Sequence, residues 1–170
     1  MRLEPLYTIR FFYPDGWQIN LTGKKGTEED HFYFAEGKCD GRISGRLRGS
    51  NHPHRRTDET FVMSLQGFIE TDDFALIMLD YQGYGRSSDR SQELYKLIPK
   101  SNPSTKFRRQ VVGFAKHATD SEKYRWLNDA VCAVAGEVRV PMELPAGTLK
   151  QADVKLVFSV AEVIWESPPE

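Results

Sequence analysis

Apolar and polar positions alternate with a period of two along most of the chain, the spacing of strands rather than helices. In residues 39–47, Cys39, Gly41, Ile43, Gly45 and Leu47 are apolar or small, while Asp40, Arg42, Ser44 and Arg46 are polar. That pattern predicts a half-buried strand with small residues on its inner face. In residues 61–69, Phe61, Met63, Leu65, Gly67 and Ile69 take the odd positions against the polar Ser64 and Gln66. Residues 75–81 are almost continuously apolar, and Thr71-Asp72-Asp73 supplies a tight polar turn that joins the two runs as an antiparallel hairpin. Further strands are predicted at residues 6–13, 31–35, 110–118, 131–138 and 154–165. The exception is residues 87–98, where Leu94, Leu97 and Ile98 share a helical face, Ser88 or Asp89 can cap it, and Pro99 stops it. Residues 101–106 and 141–151 read as loops rich in Pro, Gly and Ser.

About eight strands, short polar turns and one short helix predict an all-β, closed antiparallel β-barrel rather than a layered α/β fold. Gly41, Gly45 and Gly67 on the inner face favour the tight coiling that closure demands. The whole chain, residues 1–170, is read as a single barrel domain. A barrel of this size holds its own side chains or one small ligand.

Composition narrows the partners. With 23 Lys plus Arg against 24 Asp plus Glu, the net charge of -1 lacks the basic excess of a duplex-binding protein, so no nucleic acid is expected. Aromatic residues make up 12% of the chain, too many for a disordered one. No apolar run reaches the length of a membrane helix and the opening residues carry no hydrophobic signal core, so a soluble, cytoplasmic protein is expected. Cys39 and Cys132 lie in apolar stretches outside any CxxC pair and read as buried, reduced thiols.

The densest polar constellation is residues 48–58, RGSNHPHRRTD. A solvated loop explains such a composition. As a site at the barrel mouth, Arg55 or Arg56 would hold a carboxylate in bidentate fashion, His52 or His54 would move a proton near neutrality, and Asp58 would orient an imidazole or pair with an Arg. His52, His54 and Asp58 could also approach a metal from one side of an extended segment, but His-x-His without a third fixed ligand is too weak to predict one, and no metal or other cofactor is expected. His31 and His117 are isolated and read as satisfied strand residues. Asp72 and Asp73 read as turn residues rather than a carboxylate pair. In residues 80–86, Gly83 and Gly85 let the backbone bend beside Tyr81, Tyr84 and Arg86, although a phosphate cradle would need a following helix. In extended backbone Tyr124, Trp126 and Asn128 would face one side as two aromatic walls and an amide; core packing with a capping Asn is the alternative. No GxSxG hydrolase motif is present.

Four blocks, LEPLYTIR, CDGRISGRLRGSNHPHRRTD running into GFIETDDFALIMLDYQGYGR, YRWLNDAVCAVAGEVR and FSVAEV, together resemble a family of small bacterial and fungal β-barrel proteins, the domain of unknown function three-two-three-seven. The resemblance implies a closed antiparallel barrel and assigns no activity. Where many members have Gly-x-Asp-Trp this chain has Ser50-Asn51-His52, so no acidic role passes to Asn51. The family's TDDG turn appears here as Thr71-Asp72-Asp73-Phe74, which leaves Phe74 to adopt another turn or accept strain.

The expected function is a barrel that binds a small, partly apolar organic molecule, such as an organic acid, at one mouth between residues 51–58 and 124–128. Tyr81, Arg56, Tyr124, Trp126 and Asn128 would contact the molecule. As an enzyme it would carry out cofactor-independent proton transfer of isomerase, cyclase or lyase type, with His52 or His54 as acid and base. The alternatives are a non-catalytic carrier and a self-associating interaction module whose barrel is filled by its own side chains.

Overall fold

Nine long strands and one two-residue strand form one antiparallel sheet in the computed structural model, which describes residues 1–58, 60–86, 107–140 and 155–167. They are β1 (Arg2–Phe12), β2 (Gly16–Gly23), β3 (Gly26–Gly41), β4 (Gly45–Asn51), β5 (His54–Arg55), β6 (Phe61–Thr71), β7 (Leu76–Arg86), β8 (Phe107–Ala118), β9 (Cys132–Val140) and β10 (Lys155–Ile164). Eight of them close a barrel in the order β1-β10-β9-β8-β7-β6-β4-β3, and β3 returns to pair with β1. The predicted helix at residues 87–98 lies outside the described residues.

The period-two pattern builds the core directly. Met63, Leu65 and Ile69 of β6 and Ile77, Leu79 and Tyr81 of β7 are all buried inward, as are Tyr7, Ile9 and Phe11 of β1. Each fully buried aliphatic side chain contributes about 1.5–3 kcal/mol through loss of apolar surface to water. At mid-height the interior is full: between Ile9, Leu65, Tyr81 and Phe158 no volume remains that a water molecule can occupy.

Two local expectations need correction. Residues 39–47 are not one strand: β3 ends at Gly41, whose φ of 137° suits glycine alone, and a short turn brings Ile43 into the core before β4 begins at Gly45. The inward set survives because the chain turns a corner and pairs Gly45 back against Cys39. The second correction is an added strand. β2 pairs with the first half of β3 to make a ribbon, and its side chains from Trp17 to Gly23 are exposed on both faces, so burial does not mark it.

The turn between β6 and β7 accepts strain. Phe74 adopts a φ of 67° with its side chain 98% exposed, so the ring gains no packing in return for the left-handed backbone.

Candidate functional site

The two ends of the barrel carry different chemistry, and the predicted site residues are divided between them. One end receives the β3–β4 and β6–β7 turns and residues 119–131; the other receives Tyr13, Asn51 and the last residues of β7. Tyr124, Trp126 and Asn128 belong to the first end, whereas His52, His54, Arg56, Asp58 and Tyr81 belong to the second half of the molecule. No single mouth lies between them.

At the first end the backbone around Tyr124 is not extended. Residues Arg125–Asn128 form a single 3-10 turn, so alternate residues do not share a face. Tyr124 is buried and donates to Asp73 Oδ1 over 3.0 Å, Trp126 lies under the Arg42 guanidinium at 4.7 Å, and Asn128 exchanges two hydrogen bonds with the Thr119 backbone. Lys123 and Thr71 lead in holding the Asp73 carboxyl well below the usual carboxylate range, with Tyr124 adding to them. Tyr124 and Leu127 of this segment are buried in the core and plug this end of the barrel. Just inside this end, the Tyr7 hydroxyl is hydrogen-bonded to His117 Nε2 over 2.5 Å, and the other ring nitrogen faces Cys132 Sγ at 3.8 Å. Burial lowers the His117 pKa to about 4 and raises the Cys132 thiol to about 11, so both are uncharged near neutrality.

At the second end the predicted histidines lie on the outside of the wall. Asn51 is the inward residue of β4, so the next side chain, His52, turns out; it is exposed, stands edge-on to Phe32 with ring centroids 4.6 Å apart, and meets Ser50 Oγ. His54 pairs with Asp30 at 2.6 Å and lies 3.8 Å from Glu28. Arg56 and Asp58 form an exposed ion pair with each other, and Asp58 also accepts the Thr60 amide. None of the four faces the lumen.

A buried polar tier closes the lumen at this end, built from residues on β3, β4 and β7 and from Tyr13, which follows β1. Asn51, fully buried, donates from Nδ2 to the Tyr13 hydroxyl over 2.6 Å. Tyr13 stacks on Tyr33 with centroids 4.5 Å apart, and Tyr33 is hydrogen-bonded to His31 Nδ1 over 2.6 Å. Beyond it, Glu29 lies 3.4 Å from His31 Nε2 and accepts from Arg55 over 2.6 Å. Tyr81 occupies the same cross-strand row as Asn51 through Leu65, and its phenol lies over the paired glycines Gly83 and Gly113. A Cβ at Gly83 would collide with that hydroxyl, so the two glycines make the space it fills.

Electrostatics keep this tier uncharged. Burial raises the phenols of Tyr13 and Tyr81 well above the usual range and Tyr33 to about 12. Desolvation lowers the His31 pKa against the opposing pull of Glu29, so its imidazole is neutral at pH 7. Three atoms in the tier have no hydrogen-bond partner among the described residues: His31 Nε2, Asn51 Oδ1 and the Tyr81 hydroxyl. Each such buried group costs about 1–3 kcal/mol.

The fold and the residues that make the barrel agree with one family, described as Protein of unknown function (DUF3237), whose model matches residues 1–150. The chain belongs to that family. Among solved structures, a protein of unknown function from Clostridium acetobutylicum ATCC 824 is 18% identical, with a TM-score of 0.68 over 96% of this chain and 97% of that one. A beta-barrel-like protein from Acinetobacter baumannii AYE is 21% identical, with a TM-score of 0.64 over 95% and 94%. An enzyme from Penicillium herquei is 17% identical, with a TM-score of 0.53 over 94% and 93%. At these identities the likeness concerns the fold alone. No curated protein matches the chain. Among the described residues, no helix is long and apolar enough to cross a membrane, which says nothing of a β-barrel.

Sequence reasoning found Tyr81 but not Tyr13, Tyr33 or His31. The signal was present for Tyr13, as it was for Asn51: Tyr7, Ile9, Phe11 and Tyr13 are one inward series, and Leu47, Gly49 and Asn51 are another. Extending the alternation four residues past Leu47 places Asn51 inside and His52 outside.

Proposed function

We propose that the protein binds a small, partly apolar organic molecule at the polar end of the barrel, with hydrogen bonds to Asn51 Oδ1 and the Tyr81 hydroxyl. The observation that carries this reading is that Asn51 Oδ1 and the Tyr81 hydroxyl, with His31 Nε2 beyond them, are buried in one tier without hydrogen-bond partners among the described residues. Buried polar groups are normally satisfied, and a group of them that is not marks a place for a bound molecule. A donor such as a phenol or protonated acid suits the Asn51 carbonyl, and the rings of Tyr13, Tyr33 and Tyr81 suit its apolar body. If the bound molecule is turned over, the group equipped to exchange a proton is His31, neutral near pH 7 and joined to Tyr33. The fold it shares with a solved structure described as an enzyme is compatible with cofactor-independent chemistry of the isomerase, cyclase or lyase type. The test is a thermal-shift screen against small organic acids, phenols and lactones. A compound that raises the melting temperature of wild-type protein but not of Asn51→Leu supports the site. A bound water serving both atoms instead of a ligand would leave every compound without effect.

A second reading, self-association, is favoured by the edge of β2, which pairs with β3 alone among the described residues. The segment from Trp17 to Thr22 has no charge and no proline, the devices that normally protect an edge strand, and Trp17, Ile19 and Leu21 are 59%, 58% and 48% exposed. The strand is self-complementary. Two copies aligned antiparallel about Ile19 set Trp17 opposite Leu21 on one face and Gln18 opposite Asn20 on the other. Ile19→Lys would place two like charges on that axis, so a concentration-dependent dimer that becomes monomeric in this variant supports the reading.

A further inference from the structure

Outside the barrel wall, away from the polar tier, lies a groove of about 520 Å³ across β3, β4, β6 and β7. Two cross-strand rows form its floor. Ser50, Gln66 and Asp80 stand opposite one another in the first, and Arg48, Phe68 and Met78 in the second. Phe32 and Phe34 of β3 close its side. Phe34, Phe68 and Met78 are 44%, 47% and 43% exposed, a cluster of apolar surface around a polar lane.

The charges in this groove are unpaired. Asp80 Oδ1 is sealed from solvent without a hydrogen-bond partner. Its cross-strand neighbour Lys116 makes no ion pair with it, and Arg48 makes none with any carboxylate among the described residues. Strand spacing and rise put the Cα atoms of Arg48 and Asp80 about 12 Å apart. The two side chains shorten that gap to the width of a small molecule without closing it to an ion pair.

We infer that this groove binds a zwitterionic amino compound with an apolar body, the chemistry of an α-amino acid bearing an aromatic or large aliphatic side chain. A turn of the Asp80 carboxyl brings its unpartnered oxygen to the ammonium, which supplies the missing donor, and the Arg48 guanidinium takes the carboxylate. Phe32, Phe34, Phe68 and Met78 cover the side chain, with the phenyl faces adding attraction for the ammonium. A simple amine leaves Arg48 unused; a simple acid leaves the Asp80 oxygen unsatisfied and beside a second negative charge. Only the zwitterion answers both.

The test is calorimetric titration of the full chain with L-phenylalanine, phenethylamine and 3-phenylpropionate. L-Phenylalanine is expected to bind at least about tenfold more tightly than either fragment. Asp80→Asn should remove most of its advantage over 3-phenylpropionate, and Arg48→Met its advantage over phenethylamine. Both positions face outward, and unchanged circular dichroism and melting curves confirm that the variants fold; Phe68→Ala provides a third variant that weakens all three compounds. Equal affinities for the three compounds, no binding of L-phenylalanine, or an unchanged affinity in Asp80→Asn would overturn the inference.

Discussion

Asn51 donates to the Tyr13 hydroxyl over 2.6 Å and keeps its own carbonyl oxygen buried without a partner. One half of the amide thus anchors the residue and the other half is left available. The same division holds for Tyr81, whose ring packs on Phe158 with centroids 5.0 Å apart while its hydroxyl bonds to nothing among the described residues. A sequence selected only for stability would place phenylalanine there.

Tyr81→Phe is therefore expected to stabilise the unliganded protein. Removing a hydroxyl that pays desolvation without a hydrogen bond returns about 1 kcal/mol. Urea denaturation of the two proteins measures it, and a loss of stability would show that the hydroxyl is satisfied in solution.

Stability should fall as the pH is lowered from about 6.5 to about 4. His117 has an ordinary imidazole value of 6.5 when unfolded and about 4 when folded, because burial penalises its charged form. Between those limits the unfolded chain binds the extra proton, which pulls the equilibrium toward unfolding by as much as about 3 kcal/mol. Below pH 4 both states are protonated and this contribution has run its course. Denaturation curves at several pH values for wild type and His117→Gln give the difference; parallel pH profiles would exclude His117 as the source.

Phe74→Gly should stabilise the β6–β7 turn by about 1 kcal/mol, since glycine adopts the observed φ of 67° without strain and the exposed phenyl ring packs against nothing. Chemical denaturation measures the change. Equal stability of the two proteins would mean that the turn relaxes in solution.

Asn128→Ala should cost about 1 kcal/mol through its two bonds to the Thr119 backbone, without affecting any ligand at the far end. Loss of ligand affinity in a folded Asn128→Ala protein would contradict the separation of the two ends.

The barrel was legible because its interior is dry and its strands long: Met63, Leu65 and Ile69 could be assigned to one face from alternation alone. The corner at Ile43 was hidden because it preserves parity, with Cys39, Ile43, Gly45 and Leu47 all buried as one straight strand would place them. β2 was hidden for the opposite reason, since Trp17, Ile19 and Leu21 alternate cleanly but lie outside the core and stay about half exposed. The expected mouth joined residues of opposite ends because residue type was weighted over parity. His52 and His54 are chemically conspicuous, yet the inward series ends on Asn51. In an up-and-down barrel, connections after the third and sixth barrel strands also fall at opposite ends, which separates Asp58 from Trp126 on topology alone.

The most direct test of the binding site is titration of the tightest compound from the thermal-shift screen into wild-type, Tyr81→Phe and Trp126→Ala proteins. A ligand bonded to the Tyr81 hydroxyl is expected to lose about tenfold in affinity in Tyr81→Phe, the factor that about 1.4 kcal/mol represents, and nothing in Trp126→Ala. Equal affinity for wild type and Tyr81→Phe, a loss confined to Trp126→Ala, or a screen without any binder would contradict a ligand site at the Asn51 end of the barrel.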